Sequence, residues 1–140
     1  METIVINQYA NDDIEMFYGD YRRRVELLSS VLSEIKSGAA VLDAGCAPGF
    51  TSLALKFLGY KVYSIDFDPD PYSAFLKTMG IDEVFKVDLE RDKIPLEDES
   101  VDFAVFTEVL EHLHPFYLSW TLSEINLVFK KKGLLFLTTQ

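Results

Sequence analysis

A chain of 140 residues is long enough for one domain with a real core and too short for two. Hydrophobic residues at 49% and aromatics at 14% make it globular rather than disordered, and no stretch approaches the ~20 apolar residues of a membrane span. A net charge of −10 disfavours an extended nucleic-acid footprint, and the single cysteine, Cys46, excludes an internal disulfide and fits a reducing, cytoplasmic setting.

Met1 to Asn11 lacks a basic segment followed by an apolar run, so no signal peptide is expected. Residues 12–37 read as helical: Asp12 or Asp13 can cap, and Ile14, Phe17, Tyr21, Val25, Leu28, Leu32 and Ile35 recur at three- and four-residue steps. Gly38 ends this segment, and Gly19 is a candidate break within it. Arg22-Arg23-Arg24 reads as a solvated helix face.

Residues 38–140 alternate strand and helix as one core. Ala39 to Leu42 read as a buried strand, followed by a tight turn and a helix that begins near Phe50. Asp43 puts a carboxylate at the strand tip, to orient the loop or accept from an ammonium group. Gly45 and Gly49 let the backbone turn sharply and approach a ligand, having no Cβ in the way. The spacing Gly45-x-x-x-Gly49 is not the dinucleotide fingerprint G-x-G-x-x-G, because Ala47 stands where a glycine is needed and Pro48 removes a backbone donor. The run Asp43-x-Gly45-Cys46-x-Pro48-Gly49 resembles the first motif of class I S-adenosylmethionine-dependent methyltransferases. The resemblance implies that Gly45, Cys46 and Gly49 pass close to the methionyl part of that cofactor.

Phe50 to Leu58 read as a helix closed by Gly59, and Lys61 to Asp66 as the second strand. A strand–helix–strand unit of this length sets the second strand beside the first, so the Asp66 carboxylate can accept from both hydroxyls of a ribose. Phe67 would lie against the adenine. A further helix runs from Pro69 or Pro71 to Met79, capped by Gly80, and Glu83 to Val87 form the third strand. By the resemblance, Asp88 accepts from the adenine amino group and the Leu89 N–H bonds the ring. Asp92 to Ser100 are a polar connection.

The fourth strand is Val101 to Phe106 or Thr107. Together with Glu108-Val109-Leu110-Glu111-His112-Leu113 it is similar to the fourth-strand region of methyltransferases that act on small molecules, quinones and RNA ends. If the segment turns helically, Glu108, Glu111 and His112 share one face. Two carboxylates and an imidazole so placed suit a hard divalent cation. The E-x-x-E-H order is similar to the metal-binding motif of metal-dependent O-methyltransferases, which implies that these three residues hold a metal and face the acceptor. Relatives with this segment and no metal keep another reading open, in which Glu108 borders the site and His112 or His114 acts as a general base, since imidazole titrates near neutral pH. Pro115 starts a helix that runs to about Lys131, with Phe116, Trp120, Ile125, Val128 and Phe129 as core contacts, Lys130-Lys131-Lys132 at its negative end and Gly133 closing it. Leu134 to Thr138 form the fifth strand.

The alternation predicts an α/β, doubly wound, mostly parallel Rossmann-like sheet with strand order 3-2-1-4-5, lacking the antiparallel strands with which the resembled family usually ends. Strand five would then present an apolar edge that invites a homodimer or a partner chain. The resemblance implies methyl transfer from S-adenosylmethionine to an oxygen or nitrogen of a small molecule. An RNA end, a noncatalytic cofactor-binding module and a nicotinamide-dependent oxidoreductase are the alternatives. Tyr9 and Tyr18 are candidates for a lid, with ordinary packing as the alternative.

Overall fold

The computed structural model describes residues 2–7, 23, 25–81 and 83–139. Six strands form one sheet: β1 (Glu2–Asn7), β2 (Ala40–Ala44), β3 (Lys61–Asp66), β4 (Glu83–Lys86), β5 (Val101–Thr107) and β6 (Phe129–Thr139). Among the described residues four α-helices accompany them: α1 (residues 25–32), α2 (Phe50–Phe57), α3 (Asp70–Thr78) and α4 (Leu118–Val128). The order across the sheet is β4-β3-β2-β5-β6-β1, and every pairing is parallel. The five expected strands therefore lie as anticipated, with the switch point between β2 and β5.

Alternate residues of each strand feed two cores. Val41, Val62, Phe103, Val105 and Phe136 pack against Val31 and Leu32 of α1, Leu55 of α2 and Leu76 of α3. Leu42, Ala44, Ile65, Ala104, Phe106, Leu135 and Leu137 pack against Ile125 and Val128 of α4 and Ile94 of the polar connection. Burial on both faces is why the strands read as continuous apolar runs.

The sixth strand is a correction to the sequence reading. The edge of β6, expected to lie open for another chain, is paired by β1, with Glu2 opposite Leu134 and Asn7 opposite Thr139. Glu2–Asn7 thus form a strand where the sequence reading placed none.

Two helix ends also differ from expectation. The first stops at 32 rather than 37. Ser33 Oγ donates to the Ser30 carbonyl (2.6 Å), and the Tyr60 hydroxyl donates to the Leu32 carbonyl (3.3 Å), so main-chain acceptors are claimed from outside the helix ladder. Val25, placed on the apolar face, is exposed. Tyr9, Asp12, Asp13, Ile14, Phe17, Tyr18, Gly19 and Tyr21 lie outside the described residues, as do Arg22 and Arg24; Arg23 is helical and exposed.

The last helix ends at Val128, not near Lys131. The Glu99 and Ser100 N–H groups take the Leu127 and Val128 carbonyls (3.0 and 2.9 Å), and Phe129 turns extended. Lys130-Lys131-Lys132 therefore belong to β6 rather than to a helix cap. Val101 faces Phe129 but Phe103 faces Leu134, so the lysines bulge from the ladder, with Lys132 left-handed at φ 62°. Gly133 is needed there because a Cβ would run into the Phe129 ring. Phe116 and Trp120, expected in the core, are 78% and 39% exposed, whereas Ile125, Val128 and Phe129 are buried as expected. Among the described residues no helix is long and apolar enough to cross a membrane.

Candidate functional site

A parallel sheet brings the carboxyl ends of its strands to one rim. Along that rim stand Asp88 and Leu89 after β4, Asp66 and Phe67 at β3, Gly45 to Pro48 after β2, and Thr107 and Glu108 at β5. All of them line one open cleft of about 1340 Å³. A small-molecule pocket is usually ~300–1,000 Å³, so this one has room for a nucleoside and a second molecule beside it.

The turn after β2 is fixed by its neighbours. The Gly45 and Cys46 N–H groups donate to the Ile65 carbonyl (2.9 and 3.1 Å). The Asp66 carboxylate accepts from the Ala47 N–H (3.0 Å) and the Asp68 N–H (2.9 Å), which aims it along the rim. Gly45 and Gly49 adopt φ of 71° and 106°. The reason for glycine differs from the one expected. A Cβ on Gly45 would run into Val109 Cγ2, and one on Gly49 into Leu76 Cδ2, so both positions are closed by protein packing rather than held open for a ligand. Gly49 does not line the cleft itself; it caps α2 between Pro48 and Phe50, which do.

Asp43 is also corrected. It is 1% exposed and lies beneath the turn, outside the cleft lining. Ser52 Oγ of α2 donates to its Oδ2 (2.6 Å) and shares a 2.7 Å bond with Ser64 Oγ of β3. Asp43 Oδ1 has no hydrogen-bond partner among the described residues. Burial pushes its pKa up to about 6; the Ser52 bond opposes this and the Asp66 charge adds to it. Asp43 thus knits β2, α2 and β3 together and orients the turn. Cys46 lines the cleft, but burial, with the Asp43 and Asp66 charges, pushes its thiol up to about 12, so it stays protonated and unreactive.

At the β4 end, Asp88 Oδ1 accepts from the Glu90 N–H (3.0 Å), and Arg91 Nε stands 3.8 Å from Asp88 Oδ2. The Leu89 carbonyl accepts from Thr121 Oγ1 of α4 (2.7 Å), and no hydrogen bond within the described residues occupies its N–H. Phe67 is 69% exposed at the mouth, where it can cover a flat ring.

At the β5 end the helical reading fails. Glu108 is left-handed at φ 56°, and its N–H donates to the Thr138 carbonyl (3.1 Å) while Thr138 Oγ1 donates to its Oε1 (2.9 Å). This turns Glu108 toward β6, away from the 3₁₀ turn at Leu110–His112. Glu108 and His112 line the cleft; Glu111 does not. No three His, Cys, Asp or Glu side chains among the described residues gather to hold a cation, so the E-x-x-E-H segment does not fit a metal and no chemistry is assigned through one. His114 is a structural cap: its Nδ1 accepts from the Phe116 N–H (3.1 Å) and its own N–H donates to Glu90 Oε1.

A family model described as "Methyltransferase domain" matches residues 42–137. The chain belongs to this methyltransferase domain family. Among solved structures, the PH0226 protein of Pyrococcus horikoshii OT3 is similar at 26% identity and a TM-score of 0.69, over 83% of this chain and 57% of that one. A SAM-dependent methyltransferase of Aquifex aeolicus is 32% identical with a TM-score of 0.57, over 73% and 57%. The fold also matches the Burkholderia thailandensis 1,6-didemethyltoxoflavin-N1-methyltransferase with bound 1,6-didemethyltoxoflavin and S-adenosylhomocysteine, at 17% identity and a TM-score of 0.60, over 88% of this chain and 63% of that one. The chain therefore spans less than two thirds of the length of each. No curated protein matches it.

The cleft also involves residues that sequence reasoning passed over. Glu90 and Arg91 line the cleft directly after the β4 tip, and their charge beside Asp88 was the available signal. Thr138 had none, because its role depends on β6 lying beside β5.

Proposed function

We propose that this domain binds S-adenosylmethionine along the rim, adenine toward β4 and methionyl part toward β2, and presents its methyl to a small-molecule acceptor at the β5 end. The observation that carries this reading is that Asp88, Asp66, Gly45 and Glu108, from four different strands, line one cleft in that order. The donor set suits the cofactor. The Asp66 carboxylate accepts from ribose hydroxyls, Asp88 and the Leu89 N–H meet the adenine edge, and Gly45 and Cys46 border the methionyl end. When bound, the cofactor supplies a methyl on a positively charged sulfur. The domain's own contribution is to hold donor and acceptor in line and exclude water, and positioning of this kind is a major source of rate. Glu108 and His112 border the acceptor's place.

The residues do not suit a nicotinamide dinucleotide, whose pyrophosphate needs backbone donors that Pro48 and the Gly45-x-x-x-Gly49 spacing fail to supply. A small acceptor is favoured over an RNA end, because the chain carries a net charge of −10 and Arg91 is the one Lys or Arg lining the cleft among the described residues.

Calorimetry with S-adenosylhomocysteine tests the reading. The native chain should bind it, and Asp66→Ala should weaken binding about ten- to a hundredfold through lost charge-assisted hydrogen bonds. Unchanged affinity in the variant removes the ribose assignment.

A further inference from the structure

The loop after β4 is held by side chains that do not line the cleft. β4 ends at Lys86, so its ladder does not fix Asp88 or Leu89. The Val87 N–H donates to the Asp66 carbonyl (2.8 Å), which starts the loop beside the β3 tip. Asp92 then closes on Asp88 from both sides. Its Oδ2 accepts the Asp88 N–H (2.8 Å), and its own N–H donates to the Asp88 carbonyl (2.7 Å), which also accepts from the Arg91 N–H (3.0 Å). The Asp88–Leu89 peptide is trans, so with its oxygen turned into this loop its N–H points the opposite way. That is the Leu89 N–H, which no hydrogen bond within the described residues occupies. The next peptide is held at both ends. The Leu89 carbonyl accepts from Thr121 Oγ1 of α4 (2.7 Å), and the Glu90 N–H donates to Asp88 Oδ1 (3.0 Å). Thr121 is 0% exposed, and neither it nor Asp92 lines the cleft.

We propose that Asp92 and Thr121 are positioning residues that select the base of the cofactor, by holding the Asp88 carboxylate and the Leu89 N–H in the order that adenine requires. This rests on the methyltransferase reading above and deepens it. Adenine presents an amino donor beside an acceptor ring nitrogen. Hypoxanthine presents a carbonyl oxygen and an N–H in the same two places. Against a fixed carboxylate and a fixed N–H, adenine makes two hydrogen bonds, whereas hypoxanthine sets oxygen against oxygen and N–H against N–H. Discrimination of this kind depends on the loop being unable to yield. Without the Asp92 carboxylate the Asp88 N–H loses its acceptor, and without the Thr121 hydroxyl the Leu89 carbonyl loses its donor. The two peptides can then rotate. Rotation weakens the bonds to adenine and relieves the conflict with hypoxanthine, so the ratio of the two affinities falls.

The test is calorimetry on the full chain with S-adenosylhomocysteine and with S-inosylhomocysteine, which carries hypoxanthine in place of adenine. The native chain should prefer the adenine ligand by about a hundredfold. Asp92→Ala and Thr121→Val should each narrow that preference to about tenfold or less, while Asp92→Asn and Thr121→Ser, which keep an acceptor and a hydroxyl in place, should preserve it. A residue that merely supports the fold would weaken both ligands alike and leave the ratio unmoved. An unmoved ratio in Asp92→Ala or Thr121→Val therefore overturns the role of the residue replaced. If thermal melts show that one of these two does not fold, the ratio in the other decides. A native chain that binds both ligands equally removes the base contacts and this inference with them, and leaves cofactor binding standing. A native chain that binds neither brings down the methyltransferase reading first, and this one falls with it.

Discussion

A carboxylate that is 1% exposed, with one oxygen bonded to Ser52 and the other without a partner among the described residues, is costly when ionised. That is the situation of Asp43, whose pKa rises from 3.8 to about 6. Between these values the folded chain keeps a proton that the unfolded chain has released. Stability therefore falls as pH rises through this window, and the cost is complete above about pH 6. A shift of this size corresponds to about 3 kcal/mol. Urea unfolding at pH 4 and pH 7 should show the native chain losing about that much more than Asp43→Asn. An equal response in the two proteins would mean that the carboxylate is better solvated than its burial indicates. The sequence located Asp43 at a strand tip but could not say which way it faced. The inward direction follows from Ser52 and Ser64, which stand on other elements and meet it only once β2, α2 and β3 have packed.

Turns and helix ends show where local pattern stops being sufficient. Periodicity and glycine punctuation were enough to place α2, α3, β3 and β5 within a residue or so, because those signals act over a few positions. The two misjudged helix ends were decided by Tyr60 and by the Glu99 and Ser100 amides, partners that no local window contains. Glu108 is the sharpest case. Helix propensity continues through Glu108 to His112, but the Thr138 bonds turn the first residue left-handed and scatter the expected donor set. The Gly45 turn offers a comparison that isolates packing from backbone strain. Gly59→Ala puts a Cβ into open space at φ 91°, whereas Gly45→Ala drives one into Val109 at φ 71°. The first should cost only the left-handed penalty, about 1–2 kcal/mol, and the second about 1–3 kcal/mol more. Thermal melts of the two variants measure the difference. Because Val109 adjoins Glu108, Gly45→Ala should also disturb the β5 end of the cleft, and equal melting temperatures would remove the contact from the account.

Across the whole molecule, the alternation of strands and helices made the sheet order legible from sequence, since right-handed crossovers leave few other arrangements. The sixth strand was missed although Thr3-Ile4-Val5-Ile6 is a β-branched run of the kind strands favour. Its partner lies at the far end of the chain, so no neighbouring element announced it. Deleting residues 2–7 should uncover the β6 edge and promote self-association, visible by light scattering as a mass that rises with concentration. A deletion variant with the same mass as the native chain would show that the edge is protected in some other way.

Strands β1 and β6 are also far apart in the order in which the polypeptide is made. Glu2–Asn7 is synthesised well before Phe129–Thr139, its one neighbour in the sheet among the described residues. Until β6 emerges that short apolar stretch waits without its mate, and the central strands can assemble before it joins. The sheet is thus completed by residues made long before their partner, and a nascent chain halted before β6 emerges would carry β1 unpaired, open to a protease that the completed fold denies.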